Sequence, residues 1–380
     1  MQMIVSELVR RGVDIRVLVL VGLMFAWASG AVAQEIADTT PTDRAEEAEL
    51  TETATPNLAD AAPPKPASLS LFFENDGTFT RPNHNSDRHY TSGQGFAIAR
   101  HQNGGDAIAD ALGLSADGTA VGLTLVQQIF TPDNIGPALP DPNDRPYAGY
   151  LYLGGYWQRE KDDVFDHVEL DLGVVGPSSL AEPAQEWIHD LFDEPDPNWT
   201  TQLGDEFAYN LTLRRKWRMT LWGEAGFEPG AEFAPGVWGL QLIPEVGLDV
   251  GNVYRRVNAG GTLRFGFNLP DDFGPARLTD PGSATGQPVQ GLSTYAFVKG
   301  IGRYVEWNTF IEGNNERNPS RSVSLEPWVG EIGGGFAVDW RRGNWTFSAT
   351  YQQLYFSREF EEQTTDDGLG AIALRALYEF

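Results

Sequence analysis

Ala371-Ile372-Ala373-Leu374-Arg375-Ala376-Leu377-Tyr378-Glu379-Phe380 closes the chain and decides how the rest is read. Ile372, Leu374, Ala376, Tyr378 and Phe380 share one face at a period of two, while Arg375 and Glu379 take the other. Side chains alternate across an extended backbone, so the chain ends in a strand with one apolar face. Working back from it, the same period, or glycine and aromatics at alternate positions, recurs at about 68–75, 90–101, 119–130, 147–159, 164–175, 206–218, 238–251, 254–268, 293–305, 328–340 and 344–356. With the terminal segment these make twelve strands, an even number, as single-chain bacterial barrels have. Turn sequences such as Arg341-Arg342-Gly343-Asn344 alternate with longer connections. The stretch 219–228 also reads as extended and is taken as a continuation of its neighbour. Carboxylates such as Glu169 and Asp171 fall on the face opposite the apolar one, as a polar barrel interior requires. The expected fold is all-β, a twelve-stranded antiparallel transmembrane β-barrel.

Bulk composition narrows the partners. The chain has 380 residues with 27 Lys and Arg against 53 Asp and Glu, a formal charge of −26. No nucleic-acid partner is expected, because phosphate binding needs a net basic face. Cysteine is absent, which removes disulfides and thiolate metal sites. The 42 Gly, 12 Tyr, 11 Trp and 21 Phe suit tight turns and aromatic girdles at a membrane interface.

Residues 1–33 read as a signal peptide. Arg10, Arg11 and Arg16 precede the apolar run Val17 to Ala26, and Ala31-Val32-Ala33 supplies small residues at a cleavage site. No later segment has the roughly 18 uninterrupted apolar residues of a spanning helix, so a membrane-embedded product crosses with strands. Residues 34–67 carry Glu35, Asp38, Asp43, Glu46, Glu47, Glu49, Glu52 and Asp60 among Thr, Ala and Pro, and read as an acidic disordered linker. Residues 68–380 form the barrel, placed in a Gram-negative outer membrane. The terminal aromatic strand resembles the signal that barrel-assembly machinery reads, which makes that machinery an expected partner. A soluble sandwich could end in a similar edge strand, but it would not need the export signal as well. A monomer is expected.

One region breaks the alternation. Between Gly176-Pro177 and Trp199, the run Ala181 to Phe192 has helical spacing, with Trp187, Ile188, Leu191 and Phe192 on one apolar stripe. Pro183 is tolerated in a first turn, and Pro195 stops the helix. A short rim helix of this kind suits a lid or a substrate platform.

Two stretches bring oxygen-bearing side chains to adjacent strand ends: Phe73-Glu74-Asn75-Asp76-Gly77-Thr78-Phe79 and Asp87-Arg88-His89-Tyr90-Thr91-Ser92-Gly93-Gln94. Such donors can converge on one hard cation or one polar head group. Read singly, Asn75-Asp76-Gly77 is also common turn chemistry, Thr91 an ordinary strand residue and Asp87-Arg88 a solvated loop pair. Histidine occurs only at positions 84, 89, 101, 167 and 189. His189 sits on the rim helix beside the apolar stripe, where it could act as a general base towards an ester or be a surface residue without chemistry. Arg145, in Asp144-Arg145-Pro146-Tyr147-Ala148-Gly149-Tyr150, could bind a substrate phosphate or close a loop salt bridge. Ser92 could be a nucleophile, though no histidine partner is indicated. Gly333-Gly334-Gly335 lies within a strand and is no phosphate loop, and there is no Gly-x-Ser-x-Gly elbow.

Taken together these motifs resemble a known family, the outer-membrane lipid A 3'-O-deacylases, which are twelve-stranded barrels. The resemblance spans essentially residues 68–380. It is carried by Phe73-Glu74-Asn75-Asp76, Tyr90-Thr91-Ser92-Gly93, Asp144 to Gly149, Gly173-Val174-Val175-Gly176-Pro177, the His189 segment and Ile243-Pro244-Glu245-Val246. It implies that Asn75, Asp76, Thr91, His189 and Glu194 are required for activity. It also implies that Ca²⁺ is used, and that the 3'-linked acyloxyacyl group of lipid A, the lipopolysaccharide anchor, is removed. The spacing from His189 to Glu194 is one residue shorter than the family's, so Asp190, Asp193 or Asp196 could serve in place of Glu194. The mechanism expected on this footing has His189 take a proton from water. Ca²⁺, held by Asp76, Glu194 and Asn75, stabilises the oxyanion. Two alternatives stay open: a non-catalytic barrel, whether channel or structural protein, and a phospholipase on the same scaffold.

Overall fold

The computed structural model describes residues 67–77, 88–136, 139–193, 195–223, 236–283, 291–316, 320–364 and 367–378. The expected signal peptide and all of the linker but its last residue, together with Asp87, Glu194 and Phe380, lie outside the described residues.

Thirteen strand segments follow the alternation read from the sequence. They are β1 (Ala67–Asn75), β2 (His89–Asn103), β3 (Gly118–Thr131), β4 (Ala148–Lys161), β5 (Val164–Val175), β6 (Glu206–Trp217), β7 (Met219–Gly223), β8 (Trp238–Gly251), β9 (Tyr254–Phe267), β10 (Gly291–Asn308), β11 (Trp328–Arg342), β12 (Trp345–Phe356) and β13 (Asp367–Tyr378). β6 and β7 are one strand interrupted at Arg218. Asn210↔Gly251 through Lys216↔Glu245 pair β6 with β8, and Met219↔Leu242 through Gly223↔Gly239 continue the same ladder. Every neighbouring pair is antiparallel, and β1 meets β13 from Ala67↔Tyr378 to Asn75↔Gly370. The ring therefore closes with twelve strands, as expected, and the 219–228 stretch does extend its neighbour as far as Gly223. Closure removes the free sheet edges that hydrocarbon cannot satisfy.

The faces are sorted as a membrane demands. Ser68, Ser70, Phe72 and Glu74 are buried on the lumen side of β1, while Leu71 is 41% exposed on the other. The same parity exposes Leu123, Leu153, Leu170, Leu172 and Leu211 outward and buries Thr124, Glu169, Asp171 and Thr212 inward. No helix among the described residues is long and apolar enough to cross a membrane. Ala67 and Tyr378 lie at the end of the barrel that carries the tight turns at 162–163 and 343–344. The opposite end carries the long connections 132–147, 176–205 and 309–327. Short turns face the periplasm and long loops the outside in such barrels, so the long-loop rim is the outer one.

Among the described residues three α-helices lie at the rims: α1 (Ala107–Leu112) at the tight-turn end, and α2 (Ala181–Phe192) and α3 (Thr309–Glu312) at the outer one. α2 is the rim helix read from the sequence. The sequence reading did not anticipate α1 and α3, nor the segment 268–283 between β9 and β10, which folds back into the lumen. Its Arg277 reaches Glu74 on β1 and Glu331 on β11, Asp280 pairs with Lys216 at 2.6 Å, and Arg375 donates to Ser283 O at 2.7 Å. Charge pairs of this kind satisfy a polar interior and occupy it.

Candidate active site

Asn75, Asp76 and Thr91 come together where β1 ends and β2 begins. The Asn75 Nδ2 amide and the Asp76 backbone N–H both donate to Thr91 O at 3.1 Å. Gly77 N donates to Asn75 Oδ1 at 2.8 Å, so the turn chemistry is present as well and shapes the corner. Asp76 is 2% exposed and accepts from Arg88 N at 2.8 Å, which ties the two strand ends across the connection.

Thr91 stands in a β-bulge. Tyr90 pairs with Phe130 and Ser92 with Ile129, so Thr91 is the extra residue. Tyr90 and Gly93 both face the lumen, which leaves Thr91 and Ser92 to share the outer side. There the Thr91 hydroxyl lies 2.7 Å from Thr131 Oγ1. The same outer face carries Gln94, bonded to Gln127, where Phe96, Ile98, Leu123 and Leu125 hold the equivalent positions further along. A polar strip on the lipid-facing side of a barrel costs too much to leave in hydrocarbon. It is covered.

The cover is α2. Gly149 on β4 has no room for a side chain, since a Cβ there would collide with Ser179 Oγ and the Ala181 side chain. The start of α2 therefore docks directly on β4, and Ser179 O accepts from Gln127 Nε2 at 2.6 Å. Ala181, Gln185 and His189, one turn apart, are all buried on the wall-facing side. Trp199 lies beneath them, donating from Nε1 to Gln185 Oε1 at 3.0 Å and packing on Tyr147 with ring centroids 4.8 Å apart. Of the apolar stripe read from the sequence, Trp187 and Ile188 are 41% and 38% exposed on the outer side of the helix, while the side chains of Leu191 and Phe192 lie outside the described residues.

His189 is 2% exposed, and its Nδ1 lies 2.7 Å from Pro195 O. A carbonyl can only accept, so Nδ1 carries the proton and Nε2 is the basic nitrogen of the neutral ring. Asn75, Asp76, Thr91 and His189 thus lie at one rim, with Asn75 and Thr91 on the outer side of the wall, and Glu194 lies outside the described residues. Asn75 and Asp76 close β1, Thr91 sits on β2, β3 contributes Gln127 and Thr131, and α2 lies over β3 and β4. Two strand spacings, about 10 Å, separate β1 from β3.

Arg145, expected at the substrate, sits just inside this rim, and so does His89, to which the sequence reading assigned no role. Arg145 is fully buried, with Nη1 3.0 Å from Glu359 Oε2 and its guanidinium 5.0 Å from the Phe130 ring centroid. That is the salt bridge the sequence left open. His89 adopts φ 59° with Nδ1 2.6 Å from Asp367 Oδ1 and Nε2 3.6 Å from Asp144 Oδ1, knitting together three connections. Burial alone would raise the carboxyl of Asp144, but it is held low by His89 and by the N–H groups of Asp133 and Arg145. On α2, burial raises the Glu186 carboxyl, with Glu182, Asp196 and Asp190 adding to it.

Among the described residues no group of three or more His, Asp or Glu side chains is placed to hold a metal ion. The corner does offer one carboxylate, Asp76, beside the amide and hydroxyl oxygens of Asn75 and Thr91. An all-oxygen set of that type suits Ca²⁺. Gln94, Gln127, Gln185 and Thr131 were missed in the sequence. The signal was there in parity, because Gln94 and Gln127 fall on the face that should be apolar.

Fold and site define an outer-membrane barrel that carries polar side chains on its outer wall beside a rim helix, while the described cavities, such as the one lined by Tyr90, Gln128, Arg277 and Glu331, lie in the lumen. The sequence profile of the family "Outer membrane protein LpxR" matches residues 25–378, and the chain belongs to that family, in the outer membrane. Among solved structures, LpxR from Salmonella typhimurium superposes with a TM-score of 0.61 at 20% identity, over 82% of this chain and 100% of that one. The β-domain of the Bordetella autotransporter BrkA follows at TM-score 0.38 and 14% identity, over 84% and 100% of the two chains. The transport unit of autotransporter AIDA-I from Escherichia coli follows at 0.35 and 8%, over 85% and 93%. No curated protein matches by sequence.

Proposed function

We propose that this chain is a lipid A deacylase of the outer membrane, hydrolysing the 3'-linked acyloxyacyl ester with His189 as general base on water. The observation that supports the reading is a buried imidazole on α2, proton on Nδ1, on a helix that packs on β3 and β4 where polar side chains interrupt the apolar outer wall. A site on the outer wall of a barrel is reached sideways from the lipid, so a substrate can keep its acyl chains in the membrane while its ester meets the helix. The lumen, crossed by the 268–283 segment and its ion pairs, gives a solute channel less support.

In the reaction, His189 Nε2 takes the proton of a water as that water attacks the ester carbonyl. The tetrahedral intermediate then breaks its bond to the sugar 3'-oxygen, which leaves with the proton returned from Nε2. The Pro195 carbonyl keeps Nδ1 protonated and the ring oriented. Asn75 and Asp76, fixed to Thr91 O, present their oxygens at the strand corner, and Glu194 is assigned the remaining carboxylate. Calcium, when bound there, supplies positive charge to the developing oxyanion. Trp187 and Ile188, exposed on the far side of α2, would lie against the acyl chains of the leaflet. Arg145 is assigned no direct contact, since its guanidinium is committed to Glu359.

Mass spectrometry of lipid A from cells with and without the protein tests this. Loss of the 3'-acyloxyacyl mass is expected on expression. Unchanged lipid A with fatty acid released from glycerophospholipid would replace the reading by a phospholipase, and no change in either lipid would remove the hydrolase altogether.

A further inference from the structure

The two motifs that shape the site each have a second face. Asn75, Thr91 and Ser92 look outward, but their neighbours Glu74, Tyr90 and Gly93 look into the lumen, and there they meet one short turn. Arg277 N donates to Asp280 O at 2.8 Å and Asp280 N to Arg277 O at 3.1 Å, which makes Arg277-Leu278-Thr279-Asp280 a closed hairpin turn at the tip of the lumen segment. Glu74 is fully buried. Its Oε1 accepts from Arg277 Nε and from Leu278 N at 3.1 Å each, and its Oε2 from Arg277 Nη2 at 3.3 Å. Arg277 Nη1 reaches across to Glu331 at 3.3 Å, so one guanidinium clamps β1 to β11 through the barrel. Leu278, 2% exposed, fills a socket that exists only because residues 93 and 95 are glycine. A Cβ at either would run into its side chain.

We propose that this turn is a positioning element for the site, with Arg277 and Leu278 holding the β1 and β2 ends from inside while the catalytic face looks out. A strand end is otherwise the part of a sheet that frays, and the corner at Asn75 to Gly77 is followed by a connection of its own. A forked guanidinium–carboxylate pair fixes position and angle together, and in a water-poor interior its loss leaves Glu74 as a buried unpaired charge. The glycine of Tyr90-Thr91-Ser92-Gly93 and the glutamate of Phe73-Glu74-Asn75-Asp76 are on this account the seat of the turn, not part of the chemistry.

The inference rests on the deacylase reading for its effect on rate, but not for its effect on structure. Arg277→Gln and Leu278→Ala should both keep the heat-modifiable gel shift of a closed barrel. kcat on lipid A should fall by about 100-fold with KM little changed, as misplacement of about 1 Å produces. Arg277→Lys should recover part of that loss. Amide exchange at Asp76 and Arg88, whose N–H groups bond to Thr91 O and Asp76 Oδ2, should quicken in both variants. Unchanged exchange at these amides overturns the proposal, as does wild-type kcat in both variants. If the wild type shows no deacylation at all, the functional reading has failed and the exchange result alone decides the positioning role.

Discussion

At the tight-turn end of the barrel, α1 is six residues long and closed by its own sequence. Asp106 caps it by accepting from Ala109 N at 2.8 Å, and Gly113 ends it in the left-handed region at φ 66°. At the outer end, α2 is twice as long, lacks a side-chain N-cap and ends its left-handed C-cap on an aspartate where α1 has glycine. Leu180 stands at its N-cap with φ 60° and no side-chain hydrogen bond, and Asp193 takes φ 60° at its C-cap. A non-glycine residue in that region costs about 1–2 kcal/mol. α2 carries that cost at Leu180, whereas Asp193 is a residue type that tolerates the left-handed region, and the helix is held by the wall it lies on. The helix that obeys local rules covers nothing of chemical interest, and the strained one carries His189 over the polar strip. Strain that surroundings must over-determine gathers where geometry matters to function.

The sharpest test of that contrast is one substitution in each helix. His189→Ala should leave the barrel closed, by gel shift, and lower deacylation by about 10²–10⁴-fold, the range for a lost general base. Asp106→Ala should leave the rate alone. Equal rates for His189→Ala and the wild type would make α2 a cover without a catalyst. Because the base must be neutral, the wild-type rate should also fall as pH drops, and a flat profile on the acid side would speak for a different base.

A smaller effect is expected at the strand corner of Asn75 and Asp76. Asp76→Asn keeps the shape and the backbone contacts but removes the carboxylate charge. It should raise the calcium needed for half-maximal rate by about tenfold or more. If chelation of calcium leaves the wild-type rate intact, the oxygens at Asn75, Asp76 and Thr91 have only their turn and strand roles.

The strands were legible because the membrane enforces a period of two on every one of them, so the segments ending at Asn75 and Val175 could be read to the residue. The outward helix was legible from Pro183, Pro195 and the spacing between them. α1 was not, although Asp106 and Gly113 signal both its ends, because six residues are too few to show a period. The bulge at Thr91 is a parity shift of one residue, invisible until Tyr90 and Ser92 find their partners on β3. The clamp of Arg277 on Glu74 joins residues 203 apart through charge alone, with no local pattern to announce it. Two motifs and the rim-helix segment were legible as candidates in the sequence. It could not tell the outward half of each motif from the inward half, and that distinction separates chemistry from support.

In stability the contrast between the helices should be small and of opposite sign. Asp106→Ala removes a cap that satisfies the Ala109 N–H, and should cost about 1 kcal/mol. Exchange of the α1 amides would register it. Leu180→Gly should do the reverse at α2. Leu180 is 54% exposed, so little burial is lost, and the left-handed backbone no longer opposes a Cβ. Against that relief stands the greater freedom of glycine in the unfolded chain, about 0.5–1 kcal/mol, which leaves a net gain below about 1 kcal/mol. The α2 amides should therefore exchange slightly more slowly in Leu180→Gly, with the deacylation rate near the wild-type value. Faster exchange with a lower rate would show that the Leu180 side chain itself helps to hold the helix on the wall. The strain at the N-cap would then be the consequence of that contact and not a cost the wall alone must offset.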